Sequence, residues 1–266
     1  MSFSSSPLPE NSAASEPEII SPEAPPLEPI RVRMLTGRPR VTYILMGITI
    51  FIYLLQMATE YALGADIPAA LGMKYNPYIE AGQLWRLFTP MFLHGSIVHI
   101  GFNMYALYVL GPSLEEQYGS KPFLLLYLIS GFAGNVLSFI LSPSPSLGAS
   151  TSIFGLIAGQ LIFVYVNRDF FGNRARSMLM NILTIIVINL GLGLTPGIDN
   201  WGHLGGLAGG IAFAWFAGPL LGARRMVNEV TISNQRRTSS AWIAFLIEFL
   251  VLCGISFGVI YLRTRG

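Results

Sequence analysis

The sequence predicts an all-α membrane protein with seven spanning helices, on three observations. The chain is 52% apolar and 12% aromatic with only 11% charged residues, where a soluble domain carries about a quarter charged. Its apolar residues collect into separate runs of about 20 residues, the length that takes a helix across roughly 30 Å of hydrocarbon. Its basic residues sit in short clusters beside alternate ends of those runs, where they set orientation. They do not line one face, so no nucleic-acid partner is expected.

Taken in order, the runs are Val41 to Ala58, Ile97 to Leu114, Phe123 to Leu141, Ser150 to Val166, Met178 to Leu194, Trp201 to Leu220 and Ala241 to Leu262. Residues 1–30 precede them with seven Pro, seven Ser, five Glu and no Lys or Arg. Such a stretch cannot bury enough apolar surface to order itself, and residues 1–34 are expected to form a disordered acidic tail. It lacks the basic start and apolar centre of a signal peptide. The long connection, residues 59–96, is rich in Gly, Pro and aromatics and too apolar for a freely solvated loop. It is expected to lie partly in the membrane interface. A loop at 223–239 leads to the last helix, within 240–266. The single cysteine, Cys253, lies in an apolar run and reads as a small filler.

Arg31, Arg33, Arg38 and Arg40 precede the first run, Lys121 follows the second, and Arg168, Arg174 and Arg176 follow the fourth; Arg224, Arg225, Arg236 and Arg237 follow the sixth. By the positive-inside rule this side is cytoplasmic, and so is the N-terminus. Lys74, Arg86, Arg263 and Arg265 stay on the outer side as exceptions.

This orientation gives the chemistry a place. Gly148-Ala149-Ser150-Thr151-Ser152 opens the fourth run, so Ser150 lies at the positive end of a helix, where N–H groups can stabilise a developing oxyanion. His203 stands near the outer start of the sixth run, in Asn200-Trp201-Gly202-His203. Serine and histidine therefore share a shallow depth. His203, Gly206 and Gly210 follow an i, i+3, i+7 stripe, so the face presenting the imidazole is also stripped of side chains for close docking. On the second run, His99 and Asn103 are i and i+4 and could aim N–H groups at the same oxyanion; His94 is assigned to the preceding loop.

Other chemistries fit less well. The three histidines lack a His-Glu-x-x-His pattern or a joining carboxylate, so neither a metal nor another cofactor is expected. None of the first six runs contains an Asp, which leaves no paired-carboxylate site. Glu248 in the seventh reads as a protonated interhelical hydrogen-bond donor, and Asp199 as a solvated turn residue. A transporter would need polar groups through the whole bilayer, whereas these stop in the outer half.

These pieces together resemble the rhomboid intramembrane serine proteases over about residues 35–220, within a core drawn as 35–222. The carriers of the resemblance are Trp85-Arg86 in the long loop, His94 with His99 and Asn103, Glu115 after the second run, Gly148-Ala149-Ser150, and Gly202-His203 with Gly206 and Gly210. The resemblance implies a six-helix core around a water-filled cavity open to the outside, with the seventh helix a C-terminal addition. It implies Ser150 as nucleophile, His203 as general base, His99, Asn103 and the Ser150 N–H as the oxyanion site, and Phe154 packed on the histidine. The implied activity is endopeptidase cleavage of single-span membrane proteins within the lipid bilayer of the cell membrane. The alternative is a catalytically silent relative that binds client transmembrane helices. Thr151 departs from the pattern, standing where many members have Gly, and must therefore adopt a helical conformation.

Overall fold

The computed structural model describes residues 31–34, 38–225 and 229–265. Strand β1 (Arg31–Met34) leads into α1 (Val41–Leu63), and the long connection folds into α2 (Ile67–Gly72), α3 (Asn76–Glu80) and two 3-10 turns, Leu84–Leu87 and Thr89–Phe92. Then come α4 (Ile97–Tyr118), α5 (Ser120–Leu141), α6 (Ser150–Val166), the single turn α7 (Arg168–Phe171), α8 (Arg174–Leu192) and α9 (Asn200–Ala217). Strands β2 (Leu221–Arg225) and β3 (Glu229–Asn234) precede α10 (Thr238–Arg265). The architecture is that of an all-α multi-pass membrane protein.

Five helices, α1, α4, α5, α8 and α10, are long and apolar enough to cross a membrane. The other two expected spans fall short for physical reasons. Helix α6 has 17 residues, and the 18 residues of α9 include Asn200, His203 and five glycines. Both are sheltered. Helix α5 sits at the centre, with α6 and α9 packed on it and on each other. A polar or shortened helix in that position meets protein more than lipid, so it needs less apolar surface of its own. Helix α8 lies at the periphery against α6, with only Ala175 and Ile186 buried.

The contact of α6 with α9 is made by missing side chains. A Cβ on Gly206 would sit 2.0 Å from the Thr151 carbonyl oxygen, and one on Gly210 would sit 2.5 Å from the Cα of Gly155. Thr151 itself is helical, and none of the described non-glycine residues has positive φ. The left-handed conformation falls instead on Gly148, at φ 138°.

Three segments differ from expectation. Residues 1–30 of the predicted tail lie outside the described residues, but Arg31–Met34 pair in parallel with β3, which pairs antiparallel with β2. The stretch read as a plain loop, 223–239, thus supplies most of a three-stranded sheet, in register Ala223 to Ile232 and Val32 to Val230. Val230, Thr231 and Ile232 are β-branched and suit a strand. The long connection is also more ordered than its composition suggests, since Ile79, Leu87 and Met91 are buried in the common core.

Candidate active site

Each polar residue of the site is delivered by a local device. The chain enters α6 through Gly148, whose N–H donates to the Pro90 carbonyl at 2.9 Å. Its positive φ turns the backbone so that Ser150 becomes the first residue of the helix. There the N–H groups of Ser150, Thr151 and Ser152 take no acceptor among the described residues, as at any uncapped helix start. On α9, Asp199 caps the helix by accepting from the Gly202 N–H at 3.0 Å, and Ser138 donates to its other carboxylate oxygen. Asp199 is therefore a partly buried cap, a correction to its reading as a solvated turn residue.

The two devices bring Ser150 and His203 together across 53 residues of sequence, with Oγ and Nε2 2.9 Å apart. The Phe154 ring, one turn along α6, lies nearly parallel to the imidazole at a centroid distance of 4.4 Å and fixes its plane. The other ring nitrogen, Nδ1, is buried without a partner among the described residues. Among the described residues, no carboxylate bonds this nitrogen. Ser152 is fully buried and faces Met91, away from the imidazole.

A cavity of about 620 Å³ opens over the pair. Its polar lining includes Ser150, His203, His99 and Asn103, and Ile153, Phe102 and Ile185 are among its apolar walls. The His99 ring fills the space a side chain on Gly148 would need, 2.8 Å from an added Cβ that would itself be 3.6 Å from Ser150 Oγ. Asn103 donates from Nδ2 back to the His99 carbonyl at 2.9 Å, leaving its second amide hydrogen available.

The remaining predicted residues serve the frame. His94 is buried; its backbone N–H and carbonyl are both held by the Gln56 side chain, and its Nε2 accepts a long 3.4 Å bond from the Ala149 N–H. Burial and the neighbouring His99 pull the His94 pKa down to about 3, so it stays neutral near pH 7. Arg86 is buried and ties the long connection together, donating to the carbonyls of Met73 and Ala70 and to Gln83. Trp85 is half exposed and donates to the Leu71 carbonyl. Glu115, at the far end of α4, accepts from the N–H groups of Arg40, Val41 and Thr42 and from the hydroxyls of Thr42 and Ser120. A buried carboxylate thus satisfies the positive start of α1 and joins three helices at the end opposite Ser150.

Sequence reasoning missed a second anchor. The C-terminal carbonyls of α5 and the loop after it, which leads to Gly148, are gripped by three side chains. Lys74 Nζ donates to Ser142 and Ser144, Asn76 Nδ2 to Phe139 and Ser142, and Arg263 to Phe139 and Ile140. Burial lowers the Lys74 pKa to about 8, which leaves it mostly protonated at neutral pH. Three of the four apparent exceptions to the charge rule, Lys74, Arg86 and Arg263, are committed to carbonyl groups. A signal did exist: isolated basic residues on the poorly charged side suit helix C-termini.

The fold and the site define a polytopic membrane protein in which a serine at one helix start meets a histidine from another in a shared cavity. The Rhomboid domain family model matches residues 81–220. The chain belongs to the Rhomboid family. It is 41% identical over 200 residues to Rhomboid protease GluP of Bacillus subtilis (strain 168), covering 74% of this chain and 39% of that protein. It is 39% identical over 140 residues to RHOMBOID-like protein 4 of Arabidopsis thaliana, 52% of this chain and 35% of the relative. With Rhomboid-like protease 3 of Toxoplasma gondii it shares 38% over 150 residues, 55% and 56% of the two chains. The chain therefore spans only about a third to a half of these relatives' lengths.

Proposed function

We propose that the protein is an intramembrane serine endopeptidase that cuts transmembrane helices of single-span proteins. The observation that carries this reading is the 2.9 Å approach of Ser150 Oγ to His203 Nε2 inside a cavity that His99 and Asn103 also line. His203, with its hydrogen on Nδ1, accepts the serine proton at Nε2 as Oγ attacks the peptide carbonyl carbon. The oxyanion is met by the Ser150 N–H, with His99 and Asn103 as further donors. His203 returns its proton to the leaving amine, and a water deprotonated by the same nitrogen releases the acyl group. Two relatives named as proteases support the assignment. The substrate helix must unwind locally at small or helix-weakening residues, because a carbonyl held in a helix is closed to attack. Purified protein in detergent, given a generic single-span substrate, should cleave it, and Ser150→Ala should not. Binding without cleavage by the native protein would make it a silent client-binding relative.

The donor role of Asn103 has its own test. Truncating it orphans nothing, since the His99 carbonyl keeps its ordinary i+4 backbone bond. Asn103→Ala should therefore lower turnover roughly 10- to 1000-fold with thermal stability nearly unchanged. A parallel loss of stability would make Asn103 structural.

Orientation follows from the charge asymmetry. A reporter fused before Val41 should be cytoplasmic and one inserted near Ser144 external, in the cell membrane. Two reporters on one side would sink this topology.

A further inference from the structure

Among the described residues, a cavity of about 1230 Å³ lies well away from Ser150, between the end of α6 and the first half of α8. Its walls are apolar, with Leu161 and Ile162 from α6 facing Leu179, Met180 and Leu183 from α8. At its mouth stand Arg168 and Arg176, both solvent-exposed, with Asp169 between the helices. Tyr165 and Trp215 stack at a centroid distance of 6.2 Å beside the same mouth, and the Arg168 guanidinium lies 5.2 Å above the Tyr165 ring. Tyrosine and tryptophan at this level mark the boundary between acyl chains and headgroups.

Groove length decides what fits. The α8 wall runs from Ala175 to Leu183, about 12 Å at 1.5 Å per residue. That is under half of a hydrocarbon core of about 30 Å. A spanning helix needs a groove through both leaflets, whereas an acyl chain needs one. We propose that this groove binds an anionic phospholipid, its acyl chain between α6 and α8 and its phosphate between Arg168 and Arg176. Asp169 offsets part of the positive charge, so the headgroup preference rests on about one unopposed arginine, worth roughly fivefold. The site stands independently of any role for Ser150.

Trp215 supplies the readout. The full chain is placed in nanodiscs of phosphatidylcholine with a minor fraction of lipid brominated on its acyl chains, and the quenching lost in Trp215→Phe is read as that of Trp215. Brominated phosphatidylglycerol should quench Trp215 at about fivefold lower mole fraction than brominated phosphatidylcholine. Arg168→Gln combined with Arg176→Gln should remove the difference and leave quenching by phosphatidylcholine intact, while the paired lysine substitutions should keep it. Equal quenching by the two lipids in the native protein, or a preference that survives the double glutamine change, would overturn the proposal. So would a Trp215 shielded from both lipids, as expected if a second copy or another helix covers the groove.

Discussion

Ser150→Ala and His203→Ala are each expected to lower cleavage by about 10³-fold or more, and the double substitution to be scarcely worse than either alone. Among the described residues, the one base bonded to the hydroxyl is the imidazole nitrogen at 2.9 Å, and no carboxylate bonds the other ring nitrogen to offer another route. Removing one partner therefore removes the function of both. Ser152→Ala is the matched control, because that hydroxyl is buried against Met91 and should keep most activity. A serine-directed phosphonate should label Ser150 in the native chain and much more weakly in His203→Ala. Normal cleavage by His203→Ala, or an adduct on Ser152, would show that the pair is wrongly assigned even in an active protease.

Gly206→Ala should unfold the protein about as thoroughly as any single methyl can. The added carbon would sit 2.0 Å from the Thr151 carbonyl, a backbone atom that cannot rotate aside, so α9 must shift away from α6. We expect a loss of about 3 kcal/mol or more, at the upper end for overpacking, and activity falling with it because the same shift parts His203 from Ser150. Gly191→Ala on α8 meets nothing within 4 Å and should be neutral or slightly stabilising. Thermal unfolding in detergent compares the two. Equal melting temperatures for Gly206→Ala and the native chain would mean that the α6–α9 contact is looser than described.

Much of this was legible in the sequence because membrane chemistry exaggerates contrast. A serine, a histidine and an asparagine within apolar runs stand out, and the stripe of Gly206 and Gly210 beside His203 shows which face must dock. Helix ends were less legible. The run read to end at Leu114, already past Pro112, continues to Tyr118, and its final turn is held by Glu115 bonding outward to α1 and α5. Asp199 carried a visible capping signal, three residues ahead of Gly202, that its polar neighbours obscured. What composition could not show was pairing over long distances. The union of Arg31–Met34 with Glu229–Asn234, and of Arg263 with the end of α5, depends on where the bundle puts those segments and leaves no local periodicity.

Arg263 also introduces an order in time. It grips the carbonyls of Phe139 and Ile140 from 124 and 123 residues further along the chain. At 5–20 residues per second of synthesis, the helix end that positions the entry to Ser150 waits on the order of ten seconds for its last anchor. Of the three gripping side chains only Lys74 and Asn76 serve that loop during the interval, and the finished grip arrives only when α10 has joined the bundle. A delay of this kind separates making the nucleophile from setting it firmly in place, while neighbouring membrane segments are still emerging from the same machinery.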